Sequence, residues 1–471
     1  MSAADPALAA DATAATIAAA VAARRVTASA VVEAALARIA EAQPVLNAFT
    51  AVTAERARAR AMAIDAGAVS GPLAGVPFAV KNLFDIAGLP TLAGSRIEAE
   101  SPPAAVDAPL VERLEAAGAV LVGALGMGEY AYDFTGRNAH HGATRNPHDP
   151  ARMSGGSSGG SGVAVAGGLV PLALGSDTNG SIRVPSSLCG TFGLKPTFGR
   201  LTRRGSFPFV AAFDHLGPFA RSAADLARAY DAMQGPDAED AGCAGRPVEP
   251  ALPVVGRDVS GLRIALLGGH FAEQAGDGAR AAAAAAAAAL GATRTIELPE
   301  AARARAAAYV ITAAEGGALH LDRLRRRADD FDPETRDRLA AGTLIPAAWT
   351  IRAQRFREVF RRQVAAAMAD VDVLIAPATP CTAPLIDQQT MELAGRTVPV
   401  RANLGVLTQP ISFIGLPVVA APIAGPGLPI AVQLIGRPWE EATVLAVAAA
   451  LERAGVAAAP VADAWRTRLG T

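Results

Sequence analysis

Three residues in separate segments have the types needed for nucleophilic catalysis without histidine. Ser157 lies in the glycine- and serine-rich segment 153–161, Ser181 follows it in segment 176–185, and Lys81 precedes both in segment 75–85. A serine hydroxyl is a weak nucleophile until a base removes its proton. A lysine can act as that base when burial keeps its amine neutral. These three residues therefore predict a nucleophile, a proton relay and a base.

The elements that would position these residues are typical of an α/β fold. Residues 77–81 form a short apolar run that predicts a buried strand with Lys81 at its end, and residues 119–122 and 172–176 predict two further strands. A helix is predicted at 111–117, where Gly118 would end it. The alternation of helix, glycine and short apolar strand favours a mostly parallel sheet with helices on its faces.

Apolar periodicity, glycine and proline predict the remaining elements. We expect two helices within residues 11–63, a long functional loop at 135–161 and a surface excursion at 236–261, which is rich in proline, glycine and aspartate. The predicted helices are 161–168, 281–289, 347–369 and 440–454, and the predicted strands are 262–267, 293–298, 371–375, 416–421 and 429–435. We expect the 471 residues to form a single domain.

Composition excludes several classes of function. The net charge of −1 gives no electrostatic basis for binding nucleic acid or an anionic membrane. Cys189, Cys243 and Cys381 fit neither a metal-ligand spacing nor a disulfide framework, which favours a reducing compartment and no metal site. The N-terminus shows no signal-peptide pattern, and the longest apolar run, 163–174, is too short to cross a bilayer. A soluble, cytoplasmic protein is expected.

The glycine- and serine-rich loop has other possible readings. Residues 155–159 match the G-x-S-x-G pattern of a nucleophile elbow, which follows a strand directly, but the sequence of residues 145–152 predicts no strand there. A phosphate-binding P-loop would need a Gly-Lys-Ser/Thr sequence, which is absent here. Taken alone, the loop is as well explained as a structural connection.

The motifs together resemble the amidase signature family over nearly the whole chain. The segments that carry the resemblance are 73–82, 153–161, 175–183, 185–196, 372–377 and 433–437. The resemblance implies an α/β/α sandwich around a central mixed β-sheet, with N-terminal helices at 11–63 and a signature core at 73–222. It also implies hydrolysis or transfer of an amide, no cofactor, and a Ser–Ser–Lys triad.

The same resemblance assigns roles by position. Ser181 would be the nucleophile that forms an acyl-enzyme, Ser157 would be a bridging serine that follows a cis peptide bond, and Lys81 would be the base. The oxyanion hole would consist of the backbone N–H groups of four consecutive residues: Thr178, Asn179, Gly180 and Ser181. Ser158 would orient the relay. We interpret Asp177 and Arg183 as a buried ion pair that supports the site.

Two positions depart from the commoner family pattern. Glycine is usual where this chain has Asn179, and aspartate is usual where it has Gly128. Asn179 tolerates left-handed backbone angles, so we expect the turn to be retained and the side chain to enter the site. Gly128 removes any substrate contact that an acid at that position would make.

Within the family, segments 129–134, 142–149, 175–181 and 203–209 look most like the carboxybiuret hydrolase branch of cyanuric acid breakdown. That resemblance implies a small carboxylated amide as the substrate and release of ammonia. Because arginine binds carboxylates through paired hydrogen bonds, Arg204 and Arg357 are candidate contacts, with Tyr130 and Tyr132 as donors. Each of the four could equally be a surface or structural residue.

Other functions remain open at this point. The glutaminase chain of glutamyl-tRNA(Gln) amidotransferase, its A subunit, shares most of the motifs, including segment 354–357. A free-standing amidase of other specificity would share the triad. A catalytically inactive scaffold protein would release no ammonia from any amide.

The resemblance also implies partners. Both branches pair the amidase chain with a small helical subunit of the amidotransferase C-subunit type, and self-association as a homodimer is expected. Tyr130, Tyr132 and Phe134, in the polar stretch 127–152, are candidate contacts for such a partner. No membrane is expected as a partner, nor any nucleic acid unless the amidotransferase alternative holds.

Overall fold

The computed structural model of this chain describes residues 5–469. No helix in that range combines the length and the apolar character that crossing a membrane requires. The strands are β1 Phe49–Val52, β2 Pro77–Lys81, β3 Val120–Leu125, β4 Arg145–Asn146, β5 Asp149–Met153, β6 Leu172–Asp177, β7 Phe192–Lys195, β8 His215–Ala220, β9 Ile264–Leu267, β10 Arg294–Ile296, β11 Val373–Pro377, β12 Thr390–Leu393, β13 Arg396–Pro399, β14 Val418–Pro422 and β15 Ala431–Gly436.

The α-helices alternate with these strands along most of the chain. They are α1 Ala14–Ala22, α2 Ala28–Leu46, α3 Ala54–Asp65, α4 Pro109–Ala116, α5 Gly159–Ala166, α6 Arg183–Cys189, α7 Ala223–Met233, α8 His270–Glu273, α9 Asp277–Ala289, α10 Ala301–Arg327, α11 Pro333–Gly342, α12 Ala347–Ala367, α13 Val400–Asn403, α14 Gln409–Ser412 and α15 Glu441–Arg453. The chain therefore has the predicted α/β class.

One large mixed sheet organises the fold. Its eleven strands lie in the order β1-β3-β2-β6-β8-β7-β14-β15-β11-β9-β10. The central pairs, from β6 to β11, are antiparallel, whereas β3-β2-β6 at one side and β11-β9-β10 at the other are parallel. The mostly parallel sheet that the residue pattern favoured is wrong. Helices cover both faces, so every central strand is apolar on both sides whatever its direction.

The N-terminal region differs from its prediction. Residues 11–63 hold parts of three helices rather than two, with strand β1 between α2 and α3. Strand β1 pairs antiparallel with β3, where Phe49 lies opposite Leu125, and forms one edge of the sheet. The four residues of β1 are too few to interrupt the apolar periodicity of the helices on either side, which is why the pattern concealed the strand.

The helices divide between the two faces of the sheet. One apolar layer packs α2 and α5 on the sheet, with side chains such as Val32, Ile39 and Val163 buried together. The larger layer on the other face buries Leu110 of α4 and Leu226 of α7 against the strands. Strands β2, β3 and β6 are consequently buried along their whole length. A side chain at the end of any of these strands is held away from water.

Helices α10 and α11 were not predicted, and they pack closely against each other. A Cβ atom added at Gly342 would lie 2.0 Å from the carbonyl oxygen of Ala313, and one added at Gly317 would lie 2.7 Å from the backbone of Gly342. Glycine therefore permits the close approach. The neighbouring predictions of helix 347–369 and strand 371–375 are confirmed within two residues by α12 and β11.

Candidate active site

Lys81 lies at the C-terminal end of strand β2, where it is fully buried. Parallel pairing of β2 with β6, with Val80 opposite Leu174, brings the end of β6 beside it. The Nζ atom of Lys81 is 2.7 Å from Ser157 Oγ and 2.7 Å from Ser176 Oγ. The strand predicted to deliver Lys81 thus places its amine between two serine hydroxyls.

The charge state of Lys81 follows from this burial. Loss of water lowers the pKa of Lys81 from its ordinary value of 10.5 to about 7, while the negative charges of Asp214, Asp177 and Asp133 act in the opposite direction. A substantial fraction of the amine is therefore neutral near pH 7. A neutral amine has a lone pair that can accept the proton of the Ser157 hydroxyl.

Ser157 lies in a tightly packed loop and follows a cis peptide bond from Gly156. A Cβ atom added at Gly155 would lie 2.9 Å from the Cα atom of Pro185, so this loop contacts the start of the helix that follows Ser181. The hydroxyl of Ser158 donates to the carbonyl oxygen of Ser176 and accepts from its N–H group. Ser158 thereby fixes the backbone of the residue that holds the Lys81 amine.

Ser181 is buried in the turn between β6 and α6. Gly180 has a φ of 142°, and a Cβ atom there would lie 2.2 Å from Thr408 Oγ1. The hydroxyl of Thr408 donates to the carbonyl oxygen of Asn179. The residue with a positive φ in this turn is Gly180 rather than Asn179, so tolerance of such angles does not explain the asparagine.

This turn presents backbone donors that are free to bind a ligand. Within the described part of the chain, the N–H groups of Asn179, Gly180 and Ser181 have no acceptor. Such groups can stabilise the charge that develops on a carbonyl oxygen. No hydrogen bond joins Ser157 to Ser181 among residues 5–469. Catalytic hydrogen bonds are often long without substrate and shorten when it binds.

Asp177 and Arg183 form a fully buried ion pair beside the turn. The Arg183 Nη2 and Nε atoms each lie 2.9 Å from a carboxylate oxygen of Asp177. Burial alone would raise the pKa of Asp177, but the charge of Arg183 holds it well below its ordinary value. Arg183 also donates to Gln433 on β15 and to the carbonyl oxygen of Thr408. The pair therefore connects the turn to strand β15.

A narrow cavity opens beside Ser181. Its wall consists of the loop at 131–134, the turn at 178–181, Phe209, and residues of helices α10, α11 and α14. The residues that line it are Ala131, Tyr132, Asp133, Phe134, Thr178, Asn179, Ser181, Phe209, Tyr309, Thr312, Arg338 and Gln409. A small, mostly enclosed site of this kind fits a small molecule better than a polymer.

Arg338 is the arginine of this cavity. Its guanidinium lies 3.7 Å from the centre of the Tyr132 ring and donates to the Tyr132 carbonyl oxygen and to the Tyr309 hydroxyl. Within the described part of the chain, no aspartate or glutamate pairs with it. A cation without a carboxylate partner in a small cavity can bind an anionic group.

The four candidate substrate contacts from the sequence lie in different places. Only Tyr132 lines the cavity. Tyr130 is buried among aromatic rings, and its hydroxyl donates to Glu98. Arg204 pairs with Asp237 near the surface, and Arg357 donates to the carbonyl oxygens of Phe413 and Ala212. Tyr130, Arg204 and Arg357 therefore lie outside the cavity, and their polar groups already have partners within the chain.

Sequence reasoning missed Ser176 and the residues of α10 and α11 that reach the cavity. A signal for Ser176 was present, because parallel strands that end together bring the residues after Leu174 close to Lys81. No comparable signal marks Tyr309, Thr312 or Arg338. They lie in a stretch where alanine and arginine alternate without a clear apolar face.

The departure at Gly128 has a structural reason. A Cβ atom added at Gly128 would lie 2.5 Å from the Cβ atom of Asp133. The Asp133 carboxylate fills this space, and it accepts hydrogen bonds from the N–H groups of Thr135 and Gly136 beside the cavity. A side chain at position 128 would therefore collide with Asp133. Among residues 5–469, no group of three or more His, Cys, Asp or Glu side chains is arranged to hold a metal ion.

Comparison with known proteins places the relatives of this chain among amidases. The model of the Amidase family matches residues 30–445. The AtzE chain of 1-carboxybiuret hydrolase from Pseudomonas sp. (strain ADP) is 58% identical over 390 residues, covering 82% of this chain and 85% of that protein. The A subunit of glutamyl-tRNA(Gln) amidotransferase from Azoarcus sp. (strain BH72) is 38% identical over 421 residues, covering 81% and 85%.

Solved structures that superpose on this chain include similar enzymes. One, described as an unexpected vestigial protein complex that reveals the evolutionary origins of an s-triazine catabolic enzyme, superposes with a TM-score of 0.93 and 56% identity, covering 95% of this chain and 99% of that chain. The 6-aminohexanoate cyclic dimer hydrolase with its substrate superposes with a TM-score of 0.82 and 29% identity, covering 94% and 96%.

Proposed function

Because the chain belongs to the amidase signature family and is a hydrolase of carbon–nitrogen amide bonds, we propose that it hydrolyses 1-carboxybiuret through Ser181, Ser157 and Lys81. The relative with 58% identity is named for this activity. The observation that carries the proposal is the unpaired Arg338 in the same small cavity as Ser181. A molecule with an amide at one end and a carboxylate at the other matches both groups.

The proposed reaction begins with proton transfer along the relay. The neutral amine of Lys81 takes the proton of Ser157 while Ser157 takes the proton of Ser181. The Ser181 Oγ atom then bonds to the terminal amide carbon. The oxygen of that carbonyl becomes negatively charged and accepts hydrogen bonds from the N–H groups at 178–181. The proton returns through Ser157 to the leaving nitrogen, the C–N bond breaks, and ammonia departs.

Water completes the reaction by the same route. A water molecule gives a proton to the relay and bonds to the acyl carbon, and the bond between that carbon and Ser181 Oγ breaks. The proton returns to Ser181. In sum, water replaces ammonia, so that 1-carboxybiuret becomes a dicarboxylated urea. Asp177 and Arg183 support the turn, and Ser158 holds Ser176 against Lys81.

We assign carboxylate binding to Arg338. The sequence had suggested Arg204 and Arg357 for this role. The side chain lines the cavity, and its planar guanidinium is already held by Tyr132 and Tyr309. Preorganisation of this kind reduces the entropy that binding would cost. Two charge-assisted hydrogen bonds to the substrate carboxylate would then fix the amide end beside Ser181.

We also propose that the chain assembles with a small helical subunit of the amidotransferase C-subunit type and forms a homodimer. The support is the related structure described as a protein complex. The contacts that the sequence suggested for this small partner are wrong, because Tyr130, Tyr132 and Phe134 are buried within this chain. The partner must therefore bind other surface residues.

Ammonia release tests the proposed function. The substrates are 1-carboxybiuret, biuret without the carboxylate, and glutamine. We expect 1-carboxybiuret to be preferred, and Ser181→Ala to abolish its turnover. Arg338→Met should lower kcat/KM for 1-carboxybiuret by about 10- to 100-fold, because it removes charge-assisted hydrogen bonds, and should leave biuret nearly unaffected.

Other outcomes would contradict the proposal. Preference for glutamine over 1-carboxybiuret would favour the amidotransferase alternative. Activity of Ser181→Ala within about tenfold of the wild type would exclude Ser181 as the nucleophile, since removing a nucleophile normally costs far more. Equal losses for biuret and 1-carboxybiuret in Arg338→Met would exclude a carboxylate-specific role.

A further inference from the structure

The side chain of Asn179 forms part of the cavity wall and leaves one polar atom without a partner. The residue is 6% exposed, and its Nδ2 atom donates to Thr312 Oγ1 at 2.9 Å. The Oδ1 atom is buried and has no hydrogen-bond partner within the described part of the chain. Thr312 is itself buried in helix α10 and lines the same cavity.

An orphaned carbonyl oxygen of this kind requires an explanation. Most buried polar side-chain atoms in proteins have a hydrogen-bond partner, because leaving an acceptor unpaired destabilises the folded chain. Asn179 cannot easily turn to find a partner. Its backbone carbonyl accepts from Thr408, and its amide nitrogen is bound to Thr312. Because Asn179 lines the cavity, a ligand bound there can supply the missing donor.

We infer that the Oδ1 atom of Asn179 accepts a hydrogen bond from the substrate N–H group on the side of the attacked carbonyl away from the leaving nitrogen, and so selects ureides over alkyl amides. This inference rests on the proposed function, since it concerns the substrate of the same cavity. Asn179 lies two residues before Ser181, in the turn whose unpaired N–H groups would bind the reacting oxygen. The turn thus offers donors and an acceptor side by side.

A ureide matches that arrangement and an alkyl amide does not. In a ureide the terminal urea carbonyl has a nitrogen on both sides, so N–H donors flank the oxygen acceptor. An alkyl amide such as glutamine has a CH₂ group where the ureide has its second N–H. The CH₂ group would leave Oδ1 unpaired in the complex, and sites built to bind an N–H group reject analogues that lack it.

Binding of two matched ligands tests the inference apart from turnover. N-carbamoylglycine and succinamate both carry a terminal amide and a carboxylate, and they differ in having N–H or CH₂ beside the amide carbonyl. Their dissociation constants are measured by calorimetry on Ser181→Ala, which cannot form an acyl-enzyme. We expect N-carbamoylglycine to bind about 10- to 100-fold more tightly, as one satisfied buried acceptor predicts.

The variants separate a specific contact from a general disturbance of the turn. In the Ser181→Ala background, Asn179→Ala should bring the ratio of the two dissociation constants close to one. Asn179→Asp keeps an acceptor and should keep the ratio, although its charge weakens the binding of both carboxylates. Thr312→Val removes the anchor of the amide and should reduce the ratio in part. Thermal unfolding of each variant shows whether it is folded.

The two hypotheses fail in different ways. An unchanged ratio in Asn179→Ala, an equal loss for both ligands, or no binding of either ligand to Ser181→Ala would overturn the inference about Asn179. Absence of ammonia release from 1-carboxybiuret by the unmodified enzyme would instead overturn the proposed substrate. Each result can occur without the other, because the ligand pair does not include 1-carboxybiuret.

Discussion

In the proposed mechanism, the pH dependence of activity depends on one side chain, Lys81. Its amine must be neutral to take a proton from Ser157, and burial lowers its pKa to about 7. Activity should therefore rise as the pH rises through about 7 and stay constant above it. In the unfolded chain the same amine would hold its proton up to its ordinary pKa of 10.5. Only the folded environment lowers the pKa enough for Lys81 to serve as the proposed base at neutral pH.

The pH profile of kcat/KM tests this account of Lys81. Among the negative charges that raise the pKa of Lys81, that of Asp214 has the largest effect. Asp214→Asn should therefore lower that pKa and move the acidic limb to lower pH. Asp258→Asn is the matched control, because Asp258 lies in an exposed loop and bonds to Ser260. A limb that moves to higher pH in Asp214→Asn, or moves equally in both variants, would contradict the role of Lys81.

At the scale of elements, helices α10 and α11 form one wall of the cavity. Tyr309 and Thr312 come from α10 and Arg338 from α11, so the wall depends on how these two helices pack. Their contact is closed by Gly317 and Gly342, which leave no space for a side chain. Small changes in this contact should alter the position of Arg338 relative to Ser181.

A methyl group at Gly317 tests this dependence. Gly317→Ala would place a Cβ atom 2.7 Å from the backbone of Gly342 and Thr343 and force the helices apart. We expect a loss of about 1–3 kcal/mol in the free energy of unfolding and a higher KM for 1-carboxybiuret. Gly278→Ala in α9 is the control, because its Cβ atom meets nothing within 4 Å. Wild-type stability and KM in Gly317→Ala would show that the wall does not depend on this contact.

The elements divide into those that the sequence predicted and those that it did not. Strands β2 and β6 were predicted because each is a short, fully buried run that ends beside a motif. Strand β1 and the direction of the central strands were not, since periodicity reports burial and not the identity of the neighbouring strand. The family itself was predicted from the motifs and is confirmed by the comparisons.

The sequence likewise predicted some residues of the candidate site and missed others. Lys81, Ser157 and Ser181 were found because they lie in contiguous motifs, and the structure joins Lys81 to Ser157. Arg338 and Thr312 were not found, because they reach the cavity from a part of the chain far beyond those motifs. Only the packing of α10 and α11 brings them there. Arg204 was suggested by local sequence, but Asp237 already pairs with it.

The whole molecule combines distant parts of the chain in one sheet. The edge strand β1 comes from the N-terminal part of the chain, while β14 and β15 of the sheet centre come from the C-terminal part. The ion pair of Asp177 with Arg183 and the bond from Arg183 to Gln433 join the turn that holds Ser181 to strand β15. Assembly with other chains would add a further level of organisation.

Co-expression tests the proposed assembly. The chain produced alone should be poorly soluble or weakly active, and co-expression with a small helical protein of the amidotransferase C-subunit type should restore both properties. Size-exclusion chromatography with light scattering would measure the mass of the complex, and ammonia release would measure its activity. A stable, fully active protein purified alone, with no gain from the small partner, would favour a free-standing amidase.

The central claim is that Ser181 forms a covalent acyl-enzyme with a small carboxylated amide. Mass spectrometry of the intact protein, quenched with acid during turnover of 1-carboxybiuret, measures this most directly. We predict a mass increase equal to the substrate minus ammonia, located by proteolysis on the peptide that contains Ser181 and absent in Ser181→Ala. An adduct on another residue, or rapid turnover by Ser181→Ala, would contradict the claim.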